Sequence, residues 1–192
     1  MRKEVQTLIE DLKIKNLKKI KDKIKEIKKR KFKEINLAIF GEPLQTQRPR
    51  TGKFHNIYVP NAAKNKKFIR NQIKEQINLD DFEIISGEIK IYVDFFASIP
   101  KNFSKTDFVL SEMKYIRPTT TPDIDNLLKT YMDAITSLLW LDDGQIIETR
   151  TRKFYSVNPR VEIKIYYSNE IFNSVLKKYA KDKLENYKLN NT

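Results

Sequence analysis

The chain has 192 residues, with 38 Lys and Arg against 25 Asp and Glu, one His and no Cys, for a formal charge of +13. Without cysteine there is no disulfide framework, thiolate zinc site or cysteine nucleophile, and a single histidine argues against a histidine-rich metal site. A hydrophobic fraction of 40% excludes global disorder. No apolar run reaches the ~18 residues of a membrane span, and the charged N-terminus lacks a signal-peptide core, so a cytoplasmic protein without a membrane partner is expected. The excess of positive charge favours a polyanionic partner over a small neutral substrate.

Residues 1–35 hold a net +8, which leaves +5 for the other 157. This segment has no Pro or Gly. Leu17, Ile20, Ile24 and Ile27 recur at 3-4-3 spacing, and Val5, Ile9 and Leu12 form an earlier stripe one phase away. The pattern predicts one amphipathic helix over 3–33, or two with a break near Asn16. Such a basic helix either grips nucleic acid or a partner, or docks its narrow stripe on its own domain.

Ile35 to Phe40 reads as a strand, followed by a polar loop from Gly41 to Gly52 that holds Pro43, Arg48, Pro49 and Arg50. Pro60 to Ile77 is helical, with Phe68, Ile69, Ile73 and Ile77 at helical spacing. Glu88 to Ser98 alternates as a strand, with Ile89, Ile91, Val93 and Phe95 on one face and Lys90, Tyr92 and Asp94 on the other. Pro100 to Pro122 is a long connection, of a length usually functional or mobile. Asp125 to Leu139 is a helix with Asp123 at its N-cap position, and Trp140 to Gly144 is a turn. Gln145–Phe154 and Arg160–Tyr167 are strands expected to pair as a hairpin through Ser156-Val157-Asn158-Pro159. Ile171 to Leu189 closes the chain as a basic helix. The order α-β-α-β-α-β-β-α predicts an α/β or α+β fold, with one domain over 35–167 and basic helical segments at 1–34 and 168–192.

Two groups of acids flank the helix that starts near Asp125. Asp123-Ile124-Asp125-Asn126 precedes it and Asp142-Asp143 follows it. Hard cations such as Mg²⁺ take oxygen ligands at ~2.0–2.1 Å, and one or two carboxylates commonly suffice. Lys129, one turn after Asp125, is placed to hold a phosphate or steady a carboxylate. The plain alternatives are an ordinary N-cap for Asp123 and an i,i+4 surface pair for Asp125 and Lys129 worth ~0.3–0.5 kcal/mol. For Asp142-Asp143-Gly144 the plain alternative is a simple turn.

The block Pro122-Asp123-Ile124-Asp125-Asn126-Leu127-Leu128-Lys129, then Met132-Asp133-Ala134, then Trp140-Leu141-Asp142-Asp143-Gly144-Gln145-Ile146, resembles the signature of the RusA family of Holliday-junction resolvases. Gln47-Arg48-Pro49-Arg50 resembles the arginine–proline loop of phage-type members. The likeness is dense over 118–150 and looser over 36–117 and 151–167, and residues 1–34 and 168–192 have no counterpart. It implies a RusA-like domain with a mixed sheet and flanking helices, acting as a homodimer on branched DNA. The implied activity is a Mg²⁺-dependent endonuclease, with Mn²⁺ as a substitute, that nicks opposite strands of a four-way junction in recombination and repair. A prophage setting goes with it. The family's essential carboxylates fall on Asp123, Asp125 and Asp143, with Asp142 as the alternative to the last, and its essential lysine on Lys129. Arg48, Arg50, Lys53 and Asn126 are the DNA-binding candidates.

A single straight helix from Asp125 to Leu138 spans ~20 Å and holds Asp143 far from Asp123 and Asp125. Either the helix bends or ends early, or antiparallel copies share the site across a two-fold axis, which is the expectation here. The competing classes are a basic nucleic-acid-binding module without catalysis, and a partner-binding adaptor that uses the N-terminal helix.

Overall fold

The computed structural model describes residues 17–46, 50–51, 57–58 and 61–191, together with Val5, Thr7, Leu8 and Leu12. The chain divides into two compact units, Met1–Lys31 and Phe32–Thr192. In the first, helix α1 (Leu17–Lys29) carries the later apolar stripe and has no buried residue. Most of the helix predicted over 3–16 lies outside the described residues. Its predicted end at residue 33 is corrected to Lys29, because Lys33 already opens a strand.

The second unit contains, in order, β1 (Lys33–Phe40), β2 (Arg50–Thr51), β3 (Ile57–Tyr58), α2 (Ala62–Lys74), β4 (Glu88–Ser98), α3 (Lys105–Glu112), α4 (Ile124–Ile135), β5 (Ile146–Ser156), β6 (Arg160–Ser168) and α5 (Ser174–Asn191). The main sheet runs β1-β6-β4-β5. Strand β6 is antiparallel to both neighbours, and β4 is parallel to β5. The fold is therefore α+β with a mixed sheet, while β2 and β3 form a separate ribbon.

The alternation in β4 decides which face is buried. Ile89, Ile91, Val93 and Phe95 are at most 1% exposed and meet Ile69 and Ile73 of α2 and Leu127, Tyr131 and Ile135 of α4 in one core. Each such side chain contributes about 1.5–3 kcal/mol through burial. Phe95 meets Tyr131 edge-on at 5.6 Å between ring centres. The opposite face carries polar ladders, with Lys90 and Tyr92 on Glu148 and Arg152 on Asp94 through two hydrogen bonds. One sheet face is thus dry and one wet, as in many partly antiparallel sheets.

Three sequence expectations are corrected. Strands β5 and β6 do not form a hairpin, because β4 lies between them and pairs with both. Its dry, fully apolar stripe needs a partner on each edge, and a bare hairpin would leave one edge of it open. The connection from Pro100 to Pro122 is not a continuous loop, because it contains α3. Ser104 caps that helix by accepting from the Asp107 amide at 3.1 Å and donating to the Asp107 carboxylate at 2.7 Å. Helix α4 ends at Ile135 rather than Leu139. Thr136 turns extended, Ser137 enters the left-handed region at φ 63°, and Arg70 donates to the Ala134 and Thr136 carbonyls at 2.7 Å each. Leu139 and Trp140 are nevertheless fully buried, which is why the apolar pattern reads on past the true end.

Both open edges of the sheet are covered. Gln72 of α2 and Gln76, just past its end, hydrogen-bond the peptide groups of Phe40 and Ala38, and so act as an extra strand beside β1. At the other edge the segment 100–122 wraps β5, and Arg117 Nε donates to the Lys153 carbonyl at 2.9 Å. Such covering blocks edge-to-edge pairing.

Gly87 stands where β4 starts beside the end of β6. A Cβ there would lie 2.0 Å from the Ser168 carbonyl oxygen, a backbone atom that cannot swing away. Gly87→Ala is expected to cost about 2–3 kcal/mol through overpacking. For a chain of this size that lowers Tm by roughly 4–12 °C in a thermal melt.

Candidate active site

Pro122 follows a cis peptide bond after Thr121. Asp123 then occupies the N-cap position of α4 with extended backbone (φ −69°, ψ 143°), yet its side chain makes no capping hydrogen bond. Asp125 lies in the first helical turn. The inward face of α4 is Leu127, Thr130, Tyr131, Ala134 and Ile135, which leaves Asp123, Asp125 and Lys129 on the exposed side. Asn126 is half-buried, and its carbonyl accepts from Thr130 Oγ1 at 2.8 Å.

The plain alternatives for these groups do not form. Among the described residues Asp123 and Asp125 accept no hydrogen bond or ion pair through their side chains, and Lys129 is not paired with Asp125. Two unengaged carboxylates, separated by Ile124, therefore sit on a helix start, where partial positive charge favours anions.

They line an open cleft of about 570 Å³ with Arg117, Pro118, Thr119, Thr120, Thr151, Arg152 and Lys153. Lys153 Nζ donates to the carbonyls of Thr120 at 2.8 Å and Pro122 at 3.0 Å, fixing the segment that leads into Asp123. The cleft thus combines two acids at one end with arginines and a lysine along its wall. Sequence reasoning missed Arg117, Arg152 and Lys153. The signal for Arg152 and Lys153 was the run Arg150-Thr151-Arg152-Lys153, poor in apolar residues for a strand, and Arg117 had no such signal.

Asp143 is elsewhere. It opens a short 3-10 turn, Asp143–Gln145, beyond the C-terminal end of α4. Its Oδ1 accepts from Thr136 Oγ1 and from Trp140 Nε1, the latter at 3.1 Å. Twelve residues of α4 span about 18 Å, which separates this carboxylate from Asp123 and Asp125. Among the described residues no three His, Cys, Asp or Glu side chains group to hold a metal ion. The early end of α4 therefore does not fold Asp143 back to the other two acids within one chain.

The neighbouring Asp142 is committed to structure. Its Oδ1 accepts from the Gly144 amide at 2.8 Å and its Oδ2 from Lys183 of α5 at 3.0 Å, while Gln145 bonds back to the Asp142 and Leu141 amides. The Gly144 amide first, then Lys183, holds the Asp142 carboxyl below its ordinary range. Gln145 also donates to the Ile85 and Gly87 carbonyls, tying the turn to the sheet.

The segment after β1 that leads to the arginines is pinned to α4. Leu44 donates its amide to the Tyr131 hydroxyl at 3.2 Å, and Thr46 bonds Thr130 through amide and hydroxyl at 2.8 Å each. Burial pushes the Tyr131 phenol up to about 12, so it stays a neutral hydroxyl at this joint. Arg48 and Lys53 lie outside the described residues, and for Arg50 only the backbone in β2 is described, paired with Tyr58.

A family model for the RusA endodeoxyribonuclease matches residues 41–166, about two thirds of the chain. The chain belongs to the RusA endodeoxyribonuclease family. The family is one of endodeoxyribonucleases, so the cleft with its two acids sits on the scaffold of a DNA-cutting enzyme. A curated relative, an uncharacterised protein YqaN of Bacillus subtilis (strain 168), is 34% identical over 135 residues, covering 68% of this chain and 94% of the relative. The RusA match stops at β6, so α1 and α5, the latter holding Asp142 through Lys183, lie outside it. No helix among the described residues is long and apolar enough to cross a membrane.

Proposed function

We propose that this chain is a Mg²⁺-dependent endonuclease that resolves four-way DNA junctions by paired, symmetric nicks, with each active site built from two copies of the chain. The observation that carries the reading is the pair Asp123 and Asp125, exposed at the start of α4, without partners among the described residues, in a cleft walled by basic side chains.

Oxygen-only donors on a chain without Cys suit a hard divalent cation, for which Mn²⁺ is the natural substitute. Asp123 and Asp125 would hold the metal, and Asp143 of a second copy would complete the set. When bound, the metal supplies charge stabilisation at the phosphate and an activated water. The choice of Asp143 over Asp142 rests on partners. Asp142 has both oxygens engaged, whereas among the described residues Asp143 is held through Oδ1 alone and keeps Oδ2 available. Thr136 and Trp140 fix its orientation, the service that neighbouring donors give to metal-binding carboxylates. Lys129, one turn from Asp125, neutralises charge on the phosphate as a point cation. Arg117 and Lys153 add to the cleft's positive field, and Arg48, Arg50, Lys53 and Asn126 grip flanking DNA.

An isologous dimer suits a substrate whose two scissile strands are related by a two-fold axis. The Asp142–Asp143 turn borders an apolar groove of about 330 Å³ whose rim includes the exposed Ile147, Leu176 and Tyr179, a surface for the second copy to cover. The reaction belongs to recombination and repair, in a prophage setting.

The test is a synthetic four-way junction labelled on each strand in turn. Nicks at symmetric positions on opposing strands are expected with Mg²⁺, none with EDTA, and restored cutting on adding Mn²⁺. Cutting undiminished in EDTA would sink the metal-ion reading, and cutting of linear duplex at the same rate would sink junction selectivity.

A further inference from the structure

The cleft does not end at the acids. Phe96 and Phe154, paired in register on β4 and β5, stack at 5.3 Å between ring centres on the wet face of the sheet and are at most 6% exposed. Four cations cover them. Arg160 lies 4.0 Å from the Phe96 ring centre, and Arg117 and Arg152 lie 4.6 and 5.3 Å from that of Phe154. Lys114 reaches both rings, at 5.6 and 5.3 Å. Arg117 and Arg152 also line the acid cleft, so one basic surface passes from the carboxylates around the wrapped edge of β5 to the wet face of the sheet.

The four cations are not equivalent. Arg152 is neutralised by Asp94 and Arg160 by Glu162. Among the described residues Lys114 and Arg117 meet no carboxylate. Arg117 spends Nε on the Lys153 carbonyl and sits over the Phe154 ring, which leaves both Nη groups without a hydrogen-bond partner among the described residues. A guanidinium held this way offers a ready fork for a phosphate. Lys114 is placed at a conformational cost. It follows the C-cap of α3 with φ 70°, in the left-handed region where glycine is usual, and the Tyr115 amide closes the helix end on the Leu110 carbonyl at 2.9 Å. A glycine would make this turn more easily, so the turn alone does not account for a lysine.

We infer that Lys114 and Arg117 form a phosphate-binding track that carries the DNA strand away from the cleft, around the edge of β5 and over the Phe96–Phe154 pair. The inference rests on the nuclease reading and adds where the arm leaving the cut site runs. The rings give the cations a rigid, partly dry seat, which limits the ordering needed when phosphate arrives.

Lys114→Gly makes the test clean, because it removes the cation and relieves the left-handed strain together. Binding of a fluorescent four-way junction is followed by anisotropy between about 50 and 200 mM salt, without Mg²⁺, in the Asp125→Asn background so that no cutting occurs. Each phosphate contact contributes about 0.9 to the slope of log K against log salt. Lys114→Gly is expected to flatten the slope by about 0.9 with Tm unchanged or raised, and Lys114→Gly with Arg117→Gln by about 1.8. A slope unchanged by both substitutions would overturn the track and leave the nuclease reading intact. Failure of the background protein to bind the junction even at the lowest salt would bring down both. If Arg117→Gln lowers Tm, Lys114→Gly alone decides, and an unchanged slope in that variant overturns the track.

Discussion

Asp125→Asn is expected to leave a folded protein that binds four-way junctions and does not cut them. Its carboxylate has no hydrogen-bond or ion-pair partner among the described residues, so its exchange for an amide removes no contact. The loss is limited to the favourable interaction with the helix start, about 0.3–1 kcal/mol, and Tm moves by only a few degrees. Catalysis responds quite differently. With Asp125 as one of the few metal ligands, as proposed, its loss is expected to lower the rate by at least about 10³-fold, some 4 kcal/mol of barrier. Single-turnover cleavage of a labelled junction, run beside a thermal melt and an anisotropy titration, separates the two effects. Cutting that persists within about tenfold of wild type would remove Asp125 from the active site. A large fall in Tm would show that the carboxylate has a structural task.

Much of this architecture can be read from the sequence, for reasons that differ along the chain. Strand β4 is legible because its two faces meet opposite environments, so Ile89, Ile91, Val93 and Phe95 alternate cleanly with Lys90, Tyr92 and Asp94. The end of α4 is not, because Leu139 and Trp140 are buried by contacts with the sheet region around Ile85 and continue the apolar pattern after Thr136 has left the helix. Helix α3 is short and exposes Phe108 and Val109, so its periodicity is faint, and only the Ser104–Asp107 cap announces it. Strand order escaped for another reason. Neighbours in sequence pair by default, and nothing local to β5 and β6 says that β4 will come between them.

The site divides in the same way. Asp123, Asp125 and Asp143 stand out because acids are scarce on a basic chain and occur here in a spaced block. Arg117 and Lys153 do not, since they meet only when the segment before α4 wraps the edge of β5, a contact between residues far apart in sequence. The commitment of Asp142 is equally long-range, because Lys183 lies on a helix outside the family match.

The second large effect concerns the separation of the acids. Each chain carries Asp123 and Asp125 at one end of α4 and Asp143 past the other. If sites are completed between copies, then Asp125→Asn and Asp143→Asn homodimers have no intact site, and each is expected to fall by at least about 10³-fold in cutting. A heterodimer of the two variants behaves differently. One of its sites combines both substitutions, while the other joins Asp123 and Asp125 of one copy to Asp143 of its partner, all unchanged. Such a heterodimer should recover about half of the wild-type nicking rate and cut one strand per junction in place of two. If every site lay within one chain, both sites of the heterodimer would remain defective.

The decisive measurement is therefore made on the heterodimer, with the two variants carrying different affinity tags, co-expressed and purified through both tags in succession. Incubated with a strand-labelled four-way junction and Mg²⁺, it is predicted to give single nicks at a rate at least about 100-fold above either homodimer. Recovery no greater than that of the homodimers, from material shown to contain both tags in equal amount, would contradict the shared carboxylate site.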